Sequence, residues 1–170
     1  VSSLVQEFGT AGPVREALDS LRQAAAKEGL KGVTMAVCVG PSEVKEAEAC
    51  GFDALTGYNY HVVGFTPGQE ANPIQQMLDG DRRIWERISG ATSLPYMPAA
   101  TLNWDPRPWR KKEGMIPHFT GYSEQSVYND IMALKQWIAQ HPDKTSKERI
   151  ALLYAWNENG EGGWLTPSKI

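Results

Sequence analysis

Two glutamates, Glu158 and Glu161, stand three residues apart in LLYAWNENGEGGW, where a strand-like apolar run gives way to glycines and tryptophans. Breaking a glycosidic bond takes two carboxyl groups: one protonates the departing oxygen, and the other acts as base, nucleophile or stabiliser across the sugar ring. If Asn159 and Gly160 form a turn, both side chains face one cleft, and Gly160, Gly162 and Gly163 admit the left-handed backbone such a turn needs. A solvated acidic turn fits the spacing equally, so the surroundings of the pair must decide.

Trp104, Trp109, Trp156 and Trp164 lie in or beside the ends of apolar runs. Flat aromatic faces stack on the apolar faces of sugar rings much as they pack against other rings. Trp156 falls inside the strand pattern and is expected to be packed. In NWDPRPWR, Trp104 and Trp109 alternate with Asp105, Arg107 and Arg110, a mixture that suits a binding loop. Asp105 with Arg107 reads equally well as a loop-shaping ion pair. GYNYH adds Tyr58, Tyr60 and His61 as hydrogen-bonding groups, and Asn157 and Trp164 flank the glutamates. His61, His118 and His141 are far apart and form no H-x-x-x-H or H-x-H pair, so no metal site is expected. There is no G-x-S-x-G elbow, and no strand is followed by a glycine-rich phosphate loop, so no cofactor is expected either. Cys38 and Cys50 have no metal-ligand spacing and read as ordinary, partly buried thiols.

These candidates need elements to hold them. GPVREALDSLRQAAAKEGL places Val14, Leu18, Leu21 and Ala25 at helical spacing, with Pro13 in the first turn and Gly29 at the end. GVTMAVCVG reads as a strand buried on both faces, and PSEVKEAEACG as a short helix ending at Gly51. FDALTGYNYH is a second strand. Asn72 and Pro73 open a helix over NPIQQMLDGDRRIWERI, and SLPYMPAATL is a third strand crossed by two prolines. Ser123 caps a long helix with Val127, Ile131, Leu134 and Ile138 on one stripe, and RIALLYAW is the fourth strand. Strands alternating with helices predict an α/β fold with a parallel sheet. Three strands end in polar and aromatic clusters, where such sheets place their sites. Four strand–helix units match half of a (β/α)8 TIM-type barrel, and residues 1–170 read as one α/β unit.

With 170 residues, 41% hydrophobic and 22% charged, the chain can bury a core. A net charge of −3 gives no basic excess for nucleic acid or anionic lipid. No segment approaches membrane-spanning length, and VSSLVQEFGT is no signal peptide. Compartment stays open, with a secreted or periplasmic setting ahead of a cytoplasmic one.

GFDALTGYNY, WDPRPW and YAWNENGEGGWLTP, in this order, resemble the C-terminal half of glycoside hydrolase family 99 and of the related WbsX-type proteins. The similarity covers nearly the whole chain. The family's N-E-W-H-E-G falls on Asn157, Glu158, Asn159, Gly160, Glu161 and Gly162. The resemblance implies strands 5 to 8 of a (β/α)8 barrel and retaining, endo-acting hydrolysis of α-mannosidic bonds in an oligosaccharide or polysaccharide such as mannan. It assigns Glu158 as base on the sugar 2-hydroxyl and Glu161 as acid and base at the glycosidic oxygen, through a 1,2-anhydro sugar. Arg107 to Trp109 resemble a strand-end segment of the family, and Tyr58 and Tyr60 fall where it carries cleft tyrosines. Asn159 and Gly160 replace a Trp and a His, removing a stacking surface and a polar partner, and LTP, with Thr166, replaces L-E-P.

Sugar transfer in polysaccharide synthesis, and sugar binding without catalysis, are the alternatives. A third reads W-N-E as the signature that other sugar-cleaving barrels carry after their fourth strand. A half-barrel leaves sheet edges uncovered, so a missing N-terminal half or a homodimer is expected to complete it.

Overall fold

A computed structural model describes residues 1–110 and 114–165. Two helices open the chain, α1 (Ser2–Phe8) and α2 (Ala11–Lys27). Pro13 lies in the first turn of α2, and Gly29 takes a φ of 81° just past its end, as a terminating glycine does. Val14 is buried and Leu18 packs on the core, while Leu21 is exposed. Strand β1 (Ala36–Cys38) follows, then α3 (Val44–Cys50), which stops at Gly51 in the left-handed conformation as predicted.

Strand β2 (Ala54–Thr56) leads into a 3-10 turn, His61–Gly64. Next come β3 (Ala71–Pro73), α4 (Gln75–Gly90), β4 (Tyr96–Met97), β5 (Ala99–Thr101), β6 (His118–Thr120) and α5 (Glu124–Gln140). Strand β7 (Leu152–Tyr154) precedes a short hairpin of β8 (Asn157–Glu158) and β9 (Gly163–Trp164), joined by the 3-10 turn Asn159–Glu161.

Strands β1, β2 and β4 pair in parallel, and β5 pairs in parallel with β7. Only Pro98, which has no N–H to give, separates β4 from β5. Four parallel tracks therefore lie side by side in chain order, and the predicted α/β alternation holds. A second ribbon, β3 with β6, is also parallel and supports the loops at the strand ends. Phe119 N donates to Trp104 O at 2.9 Å there.

Some expectations change. The first strand is not buried on both faces: Ala36 and Cys38 are exposed, because β1 is an edge. The Cys38 thiol is thus exposed, and only Cys50 is buried. Asn72 caps no helix. It is buried in β3, where its Oδ1 accepts from Thr66 N (2.9 Å) and its Nδ2 donates to the carbonyls of Gln69 and Glu70. The short amide that suits a helix cap closes this loop instead, and α4 begins at Gln75. Ser123 does cap α5, exchanging hydrogen bonds with Ser126. The stripe of α5 holds at Leu134 and Ile138. Ile131 is exposed, and Ala133 and Trp137 share the buried face.

The core is centred on α4, whose Ile84, Trp85 and Ile88 lie under β5 with Tyr96 and Trp137. Fully burying one such side chain contributes roughly 1.5–3 kcal/mol. Trp85 Nε1 donates to Ala99 O at 2.8 Å, so the indole enters the core with its polar atom satisfied. Both outer edges of the four tracks, β1 and β7, lack a strand partner among the described residues. Beside β7 lies an apolar recess of about 460 Å³ lined by Ile131, Leu134, Ile138, Ala151 and Leu153 among others.

Two acids are buried in this layer. Asp81 accepts from Thr101 N at 2.7 Å, and burial, against that bond and with help from the charge of Asp130, raises its carboxyl well above the usual range. Burial pushes Asp130 up to about 7, with Arg82 opposing. The folded chain thus holds protons that the unfolded chain releases above roughly pH 4. This stability is full below that pH and is lost as the pH rises towards 7. The thermal midpoint is expected to fall between about pH 5 and pH 8, and less steeply in Asp130→Asn. An unchanged slope in that variant means Asp130 titrates as an exposed acid.

Candidate functional site

The ends of β2, β5 and β7 carry the residues singled out above, and the backbone binds these ends together. Leu102 N donates to Tyr154 O (3.0 Å), joining the β5 end to β7. Tyr60 N donates to Thr101 Oγ1 (2.8 Å), joining the β2 end to β5. Past β5, Asp105 N donates to Glu161 O (2.7 Å) and Asn103 Nδ2 to Gly162 O (2.9 Å). The glutamate turn is therefore clasped by the loop that carries Trp104.

Glu158 ends β8 and Glu161 ends the 3-10 turn Asn159–Glu161 that follows it, so one short turn separates the two acids. In the hairpin, Asn157 pairs with Trp164 and Glu158 with Gly163. Gly162 has φ 71°, and a Cβ there would stand 2.8 Å from Asp105 Cβ and 2.9 Å from Asp105 N. Both handedness and space reserve this position for glycine. A Cβ on Gly160 would overlap the Trp109 indole.

Tyr58, 60% exposed, has its hydroxyl pKa raised first by burial and then by the charges of Glu158 and Glu161. Glu161 Oε2 is buried without a hydrogen-bond partner among the described residues, and this desolvation raises its carboxyl above the ordinary range.

An aromatic floor adjoins the acids. The His61 ring stacks on Trp104 with centroids 3.6 Å apart and planes 2° from parallel. Trp104 tilts towards Tyr154 (6.4 Å), which meets Tyr58 edge-on (4.8 Å). Burial and then Arg110 lower His61 to about 4, so it is neutral at pH 7. Its Nδ1 faces Asn59 Oδ1 at 2.7 Å, which selects the Nδ1–H tautomer and leaves Nε2 to accept.

Other candidates are placed differently. Tyr60 turns inward, its hydroxyl on Val39 O (3.3 Å) and Tyr96 Oη (3.1 Å), against Gly57, where any Cβ would overlap it. Asp105 and Arg107 form the bidentate ion pair, at 2.8 and 2.6 Å, so the loop-shaping reading describes their contact. Trp109 is 61% exposed. Trp164 meets Tyr122 edge-on at 5.6 Å and accepts the Tyr122 hydroxyl on its carbonyl. Trp156, expected to be packed, is 65% exposed, since β7 ends at Tyr154 and the chain then turns into the hairpin. Asn103 and Tyr154 were not singled out from sequence. One is a lone amide closing a strand, the other an ordinary strand tyrosine. Thr166 lies outside the described residues. No group of three His, Cys, Asp or Glu side chains among the described residues is arranged to hold a metal ion. No helix among them is long and apolar enough to cross a membrane.

Fold and site together define an α/β domain with acids and aromatic rings over the C-terminal ends of parallel strands. The chain belongs to the glycosyltransferase WbsX family, whose model matches residues 9–170, and this makes it a carbohydrate-active type of domain. No curated protein and no solved structure matches it.

Gly162→Ala is expected to cost about 1–3 kcal/mol of stability, measured by urea unfolding, because it forces a left-handed alanine against Asp105. A variant as stable as the parent would mean that the clasp yields freely.

Proposed function

We propose that the domain acts on glycosidic bonds with Glu158 and Glu161 as its reacting carboxyl groups. One observation carries this: Glu158 and Glu161 stand on either side of one short turn at the strand ends, and the loop that carries Trp104 clasps that turn through Asp105 N and Asn103 Nδ2. The raised Glu161 is the proton donor to the glycosidic oxygen, and Glu158 is the base on the neighbouring 2-hydroxyl. As Glu158 removes that proton, the sugar oxygen closes on the anomeric carbon and the leaving oxygen takes the proton of Glu161. Water then opens the 1,2-anhydro ring, giving its proton to Glu161, while Glu158 returns its own to the 2-oxygen. The resemblance to family 99 supports this sequence and α-mannosidic substrates. Neutral His61 stacked on Trp104, with Trp109, Asn157 and Trp164 nearby, supports an oligosaccharide or polysaccharide lying along the strand ends. Tyr60 contributes by framing the β2 end, and Asp105 with Arg107 by shaping the loop.

Transfer to a sugar acceptor is the second reading, favoured by the family's description as a glycosyltransferase. The open edges of β1 and β7 and the apolar recess beside β7 support a (β/α)8 barrel of which these are strands 5 to 8, completed by further strands or a second copy.

Glu158→Gln and Glu161→Gln are each expected to lower turnover of α-manno-oligosaccharides by roughly 10²–10⁴-fold with circular dichroism unchanged. Mass spectrometry separates shortened sugars from lengthened acceptors. Unchanged turnover in Glu161→Gln defeats the acid assignment.

A further inference from the structure

Five buried side-chain oxygens lack a hydrogen-bond partner among the described residues, on Asp81, Asn103, Thr145, Tyr154 and Glu161. Three of these side chains border one turn. Asn103 uses its Nδ2 on Gly162 O at 2.9 Å, leaving Oδ1 unpaired. The Tyr154 ring lies 3.3 Å from where a Cβ of Gly163 would stand, with its hydroxyl unpaired. Glu161 directly precedes this glycine pair, its carbonyl held by Asp105 N. A dry, unpaired polar atom costs about 1–3 kcal/mol, so three beside one turn call for a shared partner.

Their chemistry defines that partner. Asn103 Oδ1 only accepts, the Tyr154 hydroxyl donates and accepts, and an ionised Glu161 Oε2 accepts. A water would give its protons to Asn103 and Glu161 and accept from Tyr154, and a sugar hydroxyl would give one proton and accept one. The geometry points to a hydroxyl-binding notch bounded by Asn103, Tyr154 and Glu161, through which Tyr154 is a positioning residue for the Glu161 carboxyl. Its catalytic meaning rests on the acid assignment of Glu161, but the notch itself can be observed without turnover.

Tyr154→Phe keeps the ring on Gly163 and removes only the hydroxyl. With glutamate side chains labelled at the carboxyl carbon, NMR titration follows Glu161, whose signal is the one lost in Glu161→Gln. The Glu161 midpoint is expected to rise in Tyr154→Phe by about half a pH unit, roughly three-fold in its ionisation constant, because a donor to the carboxylate chain is gone. A rise in plain buffer assigns the hydroxyl to water, and a rise only with methyl α-mannoside assigns it to sugar. No rise in either condition overturns the notch and leaves Tyr154 as packing. Asn103→Ala, scored in the same way, decides the matter if Tyr154→Phe does not fold. If hydrolysis survives Glu161→Gln while the titration shifts, the acid assignment fails alone. If hydrolysis needs Glu161 while the titration stays fixed, the notch fails alone.

Discussion

Helix α4 closes two backbone groups of β5 with its own side chains. Trp85 donates to Ala99 O and Asp81 accepts from Thr101 N. A buried strand cannot leave such groups unpaired, and Pro98 breaks the track just before β5, so these two bonds keep the short strand straight and in place. The rest follows outward from β5. Thr101 receives the β2 end through Tyr60 N, and Leu102 holds the β7 end through Tyr154 O. Asn103 and Asp105 then hold the glutamate turn. The site is a set of loops hung on one three-residue strand.

Much of this frame was legible in the sequence, and the exceptions have physical causes. Helix ends read well where a local bond decides them, as at Gly51 and Ser123. Asn72 misled because its amide serves a turn as readily as a helix start. On α5 the expected stripe holds at Leu134 and Ile138, while Ile131 is exposed and the bulkier Trp137 lies on the buried face. Convergence of three strand ends was legible from the alternation of elements. Which tyrosine faces inward was not, because Tyr58 and Tyr60 differ only in what Gly57 leaves room for. Asn103 and Tyr154 matter through tertiary contacts that no local pattern records.

Charge is distributed unevenly across the site. Glu161 is desolvated, and His61 stays neutral with its ring stacked on Trp104, so the aromatic rings beside the acids carry no charge of their own. Such a surface suits a sugar face, which offers C–H groups and no net charge. Arg107 is occupied by Asp105, so its charge is spent within the loop.

Gly160 stands where the family pattern places a bulky side chain between its acids, and the indole of Trp109 occupies that space from a different strand end. A side chain added at residue 160 would have to displace that indole, so the glutamate turn and the loop after β5 set the width of the cleft together and neither can be rebuilt alone.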